Sequence, residues 1–273
     1  MARQRLGQHF LADAGWREEI AREIRVSPQS ITPAPPGEGA EFCWIEIGAG
    51  HGEMTEHLAY TGVPVHAVEL DPVLAAALQR LAKRFPNLEI VSADILESDI
   101  AKIAGGKRVR VYGNLPYYIT SPILHYLFAS AEIIDEINIV IQHEVALRLA
   151  AKPGTRDYGY LSVLTQYFSR PELVMAIPRG AFRPPPEVDS ALVTLRLPGE
   201  RRKLPQIDEA AFLEFVKLCF SQKRKTLVNN LKSRVKPELV REALAELKLR
   251  ADARAEQLSV SNLAGIFSQL HSG

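Results

Sequence analysis

Glu46-Ile47-Gly48-Ala49-Gly50-His51-Gly52 ends an apolar run, Phe42 to Ile47, and opens a helix that runs to about Tyr60. The run reads as a buried strand, and glycines at a strand-to-helix turn let a ligand approach the backbone closely. Two details argue against a dinucleotide. The glycines are spaced G-x-G-x-G, and Glu53 stands where a dinucleotide fingerprint wants its third glycine. Acidic Glu46 directly before the loop also suits a cationic ligand better than a pyrophosphate. S-adenosylmethionine, with its sulfonium and α-ammonium, fits that environment. Read alone, such a loop does not single out one chemistry.

The strands that follow supply the rest. Val65 to Leu70 ends in Glu69, 21 residues beyond Gly48, where an acid at a strand end can accept from both ribose hydroxyls. Helix Pro72–Arg84 and strand Leu88–Ser92 lead to Asp94, placed to accept from an adenine amino group. Either acid taken singly also reads as a helix cap or a solvated loop carboxylate. Strand Val109–Tyr112 then delivers Gly113-Asn114-Leu115-Pro116-Tyr117-Tyr118, with a helix beginning near Ser121. The Asn114 oxygen can accept one hydrogen of an exocyclic amine. Pro116, with fixed φ and no N–H, helps aim the Leu115 carbonyl at the second. Tyr117 offers a ring face, and stacking of this kind is worth roughly 1–3 kcal/mol per base. Accepting both hydrogens draws the amino nitrogen out of conjugation, so that its lone pair can attack. The same residues also make an ordinary strand-to-helix turn. Four successive strand ends carrying Gly-x-Gly, Glu, Asp and Asn, however, match the rule that open α/β sheets bind ligands outside the carboxyl ends of parallel strands. The expected fold is therefore α/β, a Rossmann-like, class I S-adenosylmethionine-dependent methyltransferase with a seven-stranded, mostly parallel sheet.

Asn114-Leu115-Pro116-Tyr117 resembles the signature of enzymes that methylate the N6 amine of adenine, and the chain from Leu6 to about Leu270 is similar to the ribosomal RNA adenine dimethyltransferases. The resemblance implies S-adenosyl-L-methionine as cofactor, and 16S rRNA of an immature small subunit as partner. It implies two methyl transfers to each of two adjacent adenosines near the 3′ end, in a terminal hairpin loop. It also implies an N-terminal segment closing over the cofactor. Gly7-Gln8-His9-Phe10-Leu11 matches that segment in its histidine form, so that a contact through the backbone of His9 or Leu11 survives the exchange of asparagine for histidine. The plainer reading of His9 is a surface histidine. The Pro-rich stretch Pro178 to Ser190 lies between strands Leu173–Ile177 and Ala191–Leu197 and is stiff enough to hold Phe182 in the open. The resemblance makes Phe182 the second face of a clamp on the target base, opposite Tyr117. The alternative is a phenyl ring packed under its own loop. Glu187 replaces a lysine common in the family.

At 273 residues the chain accommodates an α/β domain, 1–198, and a small all-helical domain, 199–273. Residues 199–273 carry 14 Lys and Arg against 9 Asp and Glu, whereas the remainder carries 19 against 23. A basic appendage on a mildly acidic body points to a docked polyanion. Lys223, Arg224 and Lys225, clustered before a helix start, are the leading phosphate candidates, and Lys152, Arg156 and Tyr158 read either as further RNA contacts or as a solvated loop. The polar N-terminus and the lack of long apolar runs indicate a cytoplasmic protein without membrane spans. Cys43 and Cys219 read as buried thiols, no metal-ligand spacing occurs, and a monomer is expected. The rival readings are a large-subunit rRNA dimethyltransferase of the antibiotic-resistance type, a DNA adenine methyltransferase, and a non-catalytic ribosome assembly factor. The segment Arg254 to Leu258 and the helical tail favour the small-subunit enzyme.

Overall fold

The computed structural model describes residues 9–26 and 41–271, and at Tyr117 the backbone only. Gly7 and Gln8 of the N-terminal motif, the basic residues Arg3 and Arg5 before it, and the Pro/Gly-rich stretch Pro33–Gly39 lie outside the described residues. Two compact units are present, one formed by residues up to 146 together with 172–197, the other by 147–171 together with 198 onward.

The first unit is built on a seven-stranded sheet of order β4-β3-β2-β5-β6-β9-β7. Its strands are β2 (Phe42–Ile47), β3 (Val65–Glu69), β4 (Leu88–Ser92), β5 (Arg108–Asn114), β6 (Ile134–Gln142), β7 (Arg170–Ile177) and β9 (Ser190–Arg196). The first five run parallel, and β9 is antiparallel to β6. Helices α2 (Glu53–Ala59), α3 (Pro72–Ala82), α4 (Ile100–Ala104) and α5 (Thr120–Ala129) form the crossovers, preceded by α1 (Ala14–Glu23). Sequence chemistry starts these helices: Asp13 and Asp71 accept from the Trp16 and Val73 amides, and Pro72 occupies the first turn of α3. The central strands β2 and β6 are buried on both faces, as coverage by helices on either side requires, whereas β5 alternates valines with Arg108 and Arg110 and the edge strand β4 exposes Glu89. Trp44, Ile45, Val65, Ala67, Val109 and Val111 are all essentially inaccessible.

Strands 3 and 4 lie on one side of β2, while β5 and β6 lie on the other, so the order reverses between β2 and β5. That reversal opens a crevice at the carboxyl ends of β2 and β5. Ile47 is in register with Gly113 there, and a Cβ on Gly113 would stand 2.8 Å from Leu115 Cδ2 and 3.3 Å from the Ile47 carbonyl. Glycine is therefore what lets the two strand ends approach.

A second, two-stranded ribbon was not foreseen. Strand β1 (Phe10–Leu11) pairs antiparallel with β8 (Phe182–Arg183), Leu11 opposite Phe182 and Phe10 opposite Arg183. This ribbon corrects the expectation for Phe182. The ring is 1% exposed and belongs to the same core cluster as Leu11, Ile20, Ala181 and Leu192. Burying a phenyl side chain is favourable by about 1.5–3 kcal/mol, and the ribbon gives it an apolar partner to bury against.

The second unit is helical: α6 (His143–Ala150) leads into it, followed by α7 (Tyr160–Phe168), α8 (Glu209–Cys219), α9 (Leu227–Leu231), α10 (Pro237–Glu246) and α11 (Val260–His271). Its core is aromatic, with ring centroids 5.1 Å apart for Tyr167 and Phe212 and 5.6 Å for Phe212 and Phe267. Those pairs place α7 with the C-terminal helices, whereas the sequence reading drew a single division at 198. Tyr158 is fully buried in this unit and donates to the Leu258 carbonyl at 2.9 Å, so it supports the fold instead of facing RNA. Cys43 and Cys219 are both buried thiols.

Candidate active site at the carboxyl ends of the sheet

The β2–α2 turn places Gly48 and Gly50 at φ +70° and +59°, a conformation that side chains with a Cβ rarely adopt. Nothing lies within 4 Å of where a Cβ of Gly48 would point, whereas the Phe10 ring packs 3.0 Å from that position on Gly50. The turn is braced from β3. Glu69 is 1% exposed, and its Oε2 accepts from the Gly50 amide at 2.8 Å while Oε1 accepts from the Asp71 amide at 2.9 Å. Glu69 thus spans the Gly-rich loop and the following helix start, and each oxygen retains a second lone pair. Asp94, after β4, caps a short 3₁₀ turn by accepting from the Leu96 amide at 2.9 Å. Asp94 both caps that turn and lines a cavity, together with Gly48, Glu69, Ile47, Val68 and Pro116. Three of the expected cofactor positions, from three separate strand ends, therefore converge.

Asn114 ends β5, in the register that pairs it with Val140 of β6. Leu115 follows with its side chain buried and its amide donating to the Val140 carbonyl at 3.0 Å. Pro116 leads into a 3₁₀ turn, Tyr117–Ile119, ahead of α5. The Asn114 amide is oriented by a partner distant in sequence, since its Nδ2 donates to the His9 carbonyl at 2.8 Å. A backbone carbonyl can only accept, so the end that meets His9 is the nitrogen, and Oδ1 is the end left to accept.

Sequence reasoning missed a buried polar cluster beneath the Gly-rich loop. Glu46 is 2% exposed and stands in register with Tyr112 of β5. Glu46 Oε2, Thr55 Oγ1 and Tyr112 Oη are buried without hydrogen-bond partners. Burial drives the Glu46 carboxyl up to about 8, with Thr55 opposing the rise and Glu53 and Glu69 adding to it. The Tyr112 hydroxyl is raised as well, by burial first and then by Glu46 and Glu53. A buried carboxyl oxygen without a partner is costly, and this one lies two residues before Gly48 of the Gly-rich turn. The acidic residue was visible in sequence, but its two hydroxyl neighbours come from a helix and another strand.

The basic triplet Lys223-Arg224-Lys225 is exposed on a turn ahead of α9, and the Lys223 ammonium donates to the Arg156 carbonyl within the same unit. Among the described residues no group of three or more His, Cys, Asp or Glu is arranged to hold a metal, and no helix is long and apolar enough to cross a membrane.

Known proteins resemble the chain over its whole length. The profile of the family described as "Ribosomal RNA adenine dimethylase" matches residues 1–272. A protein of Koribacter versatilis named "Ribosomal RNA small subunit methyltransferase A" is 38% identical over 282 residues, covering 98% of this chain and 94% of the relative. Among solved structures, a dimethyladenosine transferase from Plasmodium falciparum superposes with a TM-score of 0.78 at 22% identity, covering 97% of this chain and 98% of that one. The 23S rRNA methyltransferase ErmE does so with a TM-score of 0.68 at 27% identity, covering 96% and 99%.

Proposed function

The chain belongs to the ribosomal RNA adenine dimethylase family, and from that membership we propose that it transfers methyl groups from S-adenosyl-L-methionine to N6 of two adjacent adenosines in the 3′-terminal hairpin loop of 16S rRNA. It does so late in small-subunit biogenesis, on an immature subunit, as a cytoplasmic monomer. The observation that carries this reading is the meeting of Gly48, Glu69 and Asp94 in one cavity with Pro116, two residues beyond the Asn114 that ends β5. The small-subunit target is favoured over the large-subunit one by the name carried by relatives at 34–38% identity.

The residues present fit the cofactor. Gly48 leaves room for close approach, Glu69 keeps lone pairs for ribose hydroxyls, and Asp94 can accept from an adenine amine. The unpartnered Glu46 Oε2 suits a nearby positive charge. His9, just before β1, and Leu11, within it, are assigned the contacts that close over the cofactor. When bound, the cofactor supplies an electrophilic methyl group on sulfur.

The chain's own residues then position the nucleophile. Asn114 Oδ1 accepts one hydrogen of the adenine amine and the Leu115 carbonyl accepts the other. Pro116 fixes the backbone that aims that carbonyl, and Tyr117 supplies a stacking face. No general base is required, because the amine becomes acidic only once it has attacked, and its proton leaves to water. A second transfer needs a monomethylated amine with one hydrogen to be accepted still, so the Leu115 carbonyl contact is the dispensable one. An Asn114→Ala variant that stopped only the second transfer would contradict that assignment. Phe182, expected as the other half of a base clamp, is buried in the ribbon, so stacking is assigned to Tyr117 alone. Lys223, Arg224 and Lys225 engage rRNA phosphates, with residues 199–273 as the docking part.

The test uses small subunits from a strain lacking this gene, incubated with the protein and labelled S-adenosylmethionine, followed by mass spectrometry of the nucleosides. Dimethyladenosine at two adjacent sites of the small-subunit rRNA is the expected result. Label in large-subunit rRNA instead would assign the large-subunit reaction, and cofactor binding without transfer to either would leave an assembly factor.

A further inference from the structure

The hydrogen bond from Asn114 to His9 joins residues 105 positions apart, and its acceptor sits on a segment fastened at several points. His9 Nδ1 lies 2.8 Å from the Pro184 carbonyl, and Phe10 and Leu11 pair with β8. The Ala12 and Asp13 amides both donate to the Ala181 carbonyl, at 2.9 and 3.1 Å. The Arg17 guanidinium donates to the Leu11 and Ala12 carbonyls, each at 3.1 Å. On the other side the Phe10 ring packs against the Gly50 position and, with centroids 4.5 Å apart, against His51. The His9 carbonyl is therefore held in place by the ribbon on one side and by the Gly-rich loop on the other.

The terminal torsion of an asparagine side chain is broad, and its two ends have opposite hydrogen-bonding character. Turned one way, Asn114 offers an acceptor to the target amine. Turned the other, it offers two N–H donors to a group that is itself a donor. Strand β5 fixes the Cα of Asn114 but not this choice. We propose that the backbone carbonyl of His9 is a positioning group for the methyl-transfer reaction, taking the Asn114 Nδ2 hydrogen and so holding Oδ1 toward the substrate amine. The inference rests on the assignment of Asn114 as the amine's acceptor. It assigns the N-terminal segment a task in orienting the nucleophile, separate from any contact with the cofactor.

The test is a cycle of full-length protein, a deletion through Leu11, Asn114→Asp, and the two combined, each assayed at saturating cofactor. Aspartate keeps an acceptor but has no Nδ2 to donate. Losing one neutral hydrogen bond changes a rate by roughly three- to tenfold. The deletion should lower kcat in the wild-type background by about that factor more than in Asn114→Asp, because losses of packing and cofactor contacts are common to both. Equal losses in the two backgrounds would overturn the proposal. Should the deletion not fold, the full-length His9→Ala/Phe10→Ala variant, which loses two fastenings, replaces it in the same cycle. A second readout needs neither cofactor nor RNA: one Asn114 side-chain amide proton should exchange slowly with solvent in the intact protein and quickly in the loosened variant. Identical exchange in both would also overturn the proposal. Wild-type kcat in Asn114→Ala would instead remove the reading of Asn114 on which the inference rests.

Discussion

Replacing Glu46 with glutamine should remove a pH dependence of stability that a single buried carboxyl creates. Glu46 is 2% exposed, its Oε2 lacks a partner, and burial is the dominant cause that lifts the carboxyl from an ordinary 4.5 to about 8. The charges of Glu53 and Glu69 add to the rise, while Thr55 opposes it. Below pH 4.5 the carboxyl is neutral folded or unfolded, so ionisation is irrelevant to stability. Between pH 4.5 and 8 the unfolded chain ionises and the folded one does not, which favours unfolding progressively. Above pH 8 both forms are ionised and the full penalty persists. At about 1.4 kcal/mol per pH unit the ceiling is roughly 5 kcal/mol, and water entry around an ionised carboxylate brings the expected loss to about 2–4 kcal/mol. The assay is urea unfolding of the cofactor-free protein from pH 4.5 to 8.5, wild type beside Glu46→Gln. The stability difference should shift against the wild type by that amount as pH rises through the window. Parallel profiles would refute the reasoning and mean that Glu46 is already ionised and solvated in the fold.

Other consequences are equally direct. Phe182→Ala should destabilise the first unit by about 3–5 kcal/mol in denaturant unfolding, as truncation of a buried ring does. A loss below about 1 kcal/mol with weakened RNA binding would instead return Phe182 to the base clamp. Gly50→Ala forces a Cβ into a left-handed conformation 3.0 Å from the Phe10 ring, at a cost of roughly 1–2 kcal/mol. Calorimetry should show S-adenosylmethionine bound about tenfold more weakly, and unchanged affinity would argue against the loop as its site. Replacing Lys223, Arg224 and Lys225 together by alanine should make the slope of log affinity for rRNA against log salt shallower by about 2. An unchanged slope would place the phosphate contacts elsewhere.

The parallel sheet, most of its crossovers and the residues at its carboxyl ends are legible in the sequence, because those signals are local, whereas the short crossover helix α4 is not. Apolar strands announce themselves by composition, Gly48 and Gly50 by the turn they permit, and Glu69, Asp94 and Asn114 by standing directly after strands. Once the strand order reverses between β2 and β5, these positions have one place to meet. The tertiary structure alone decided what depends on distant partners. A two-residue strand has no periodicity to read, so the β1–β8 ribbon, the burial of Phe182 and the His9–Asn114 bond could not be anticipated. The same holds for Tyr158, which looked like a surface aromatic until the Leu258 carbonyl supplied its partner, and for α7, whose aromatic face suits either unit until Phe212 lies 5.1 Å away. Local propensity sets which elements form. Which buried polar atom meets which acceptor is settled only when elements far apart in the chain pack together.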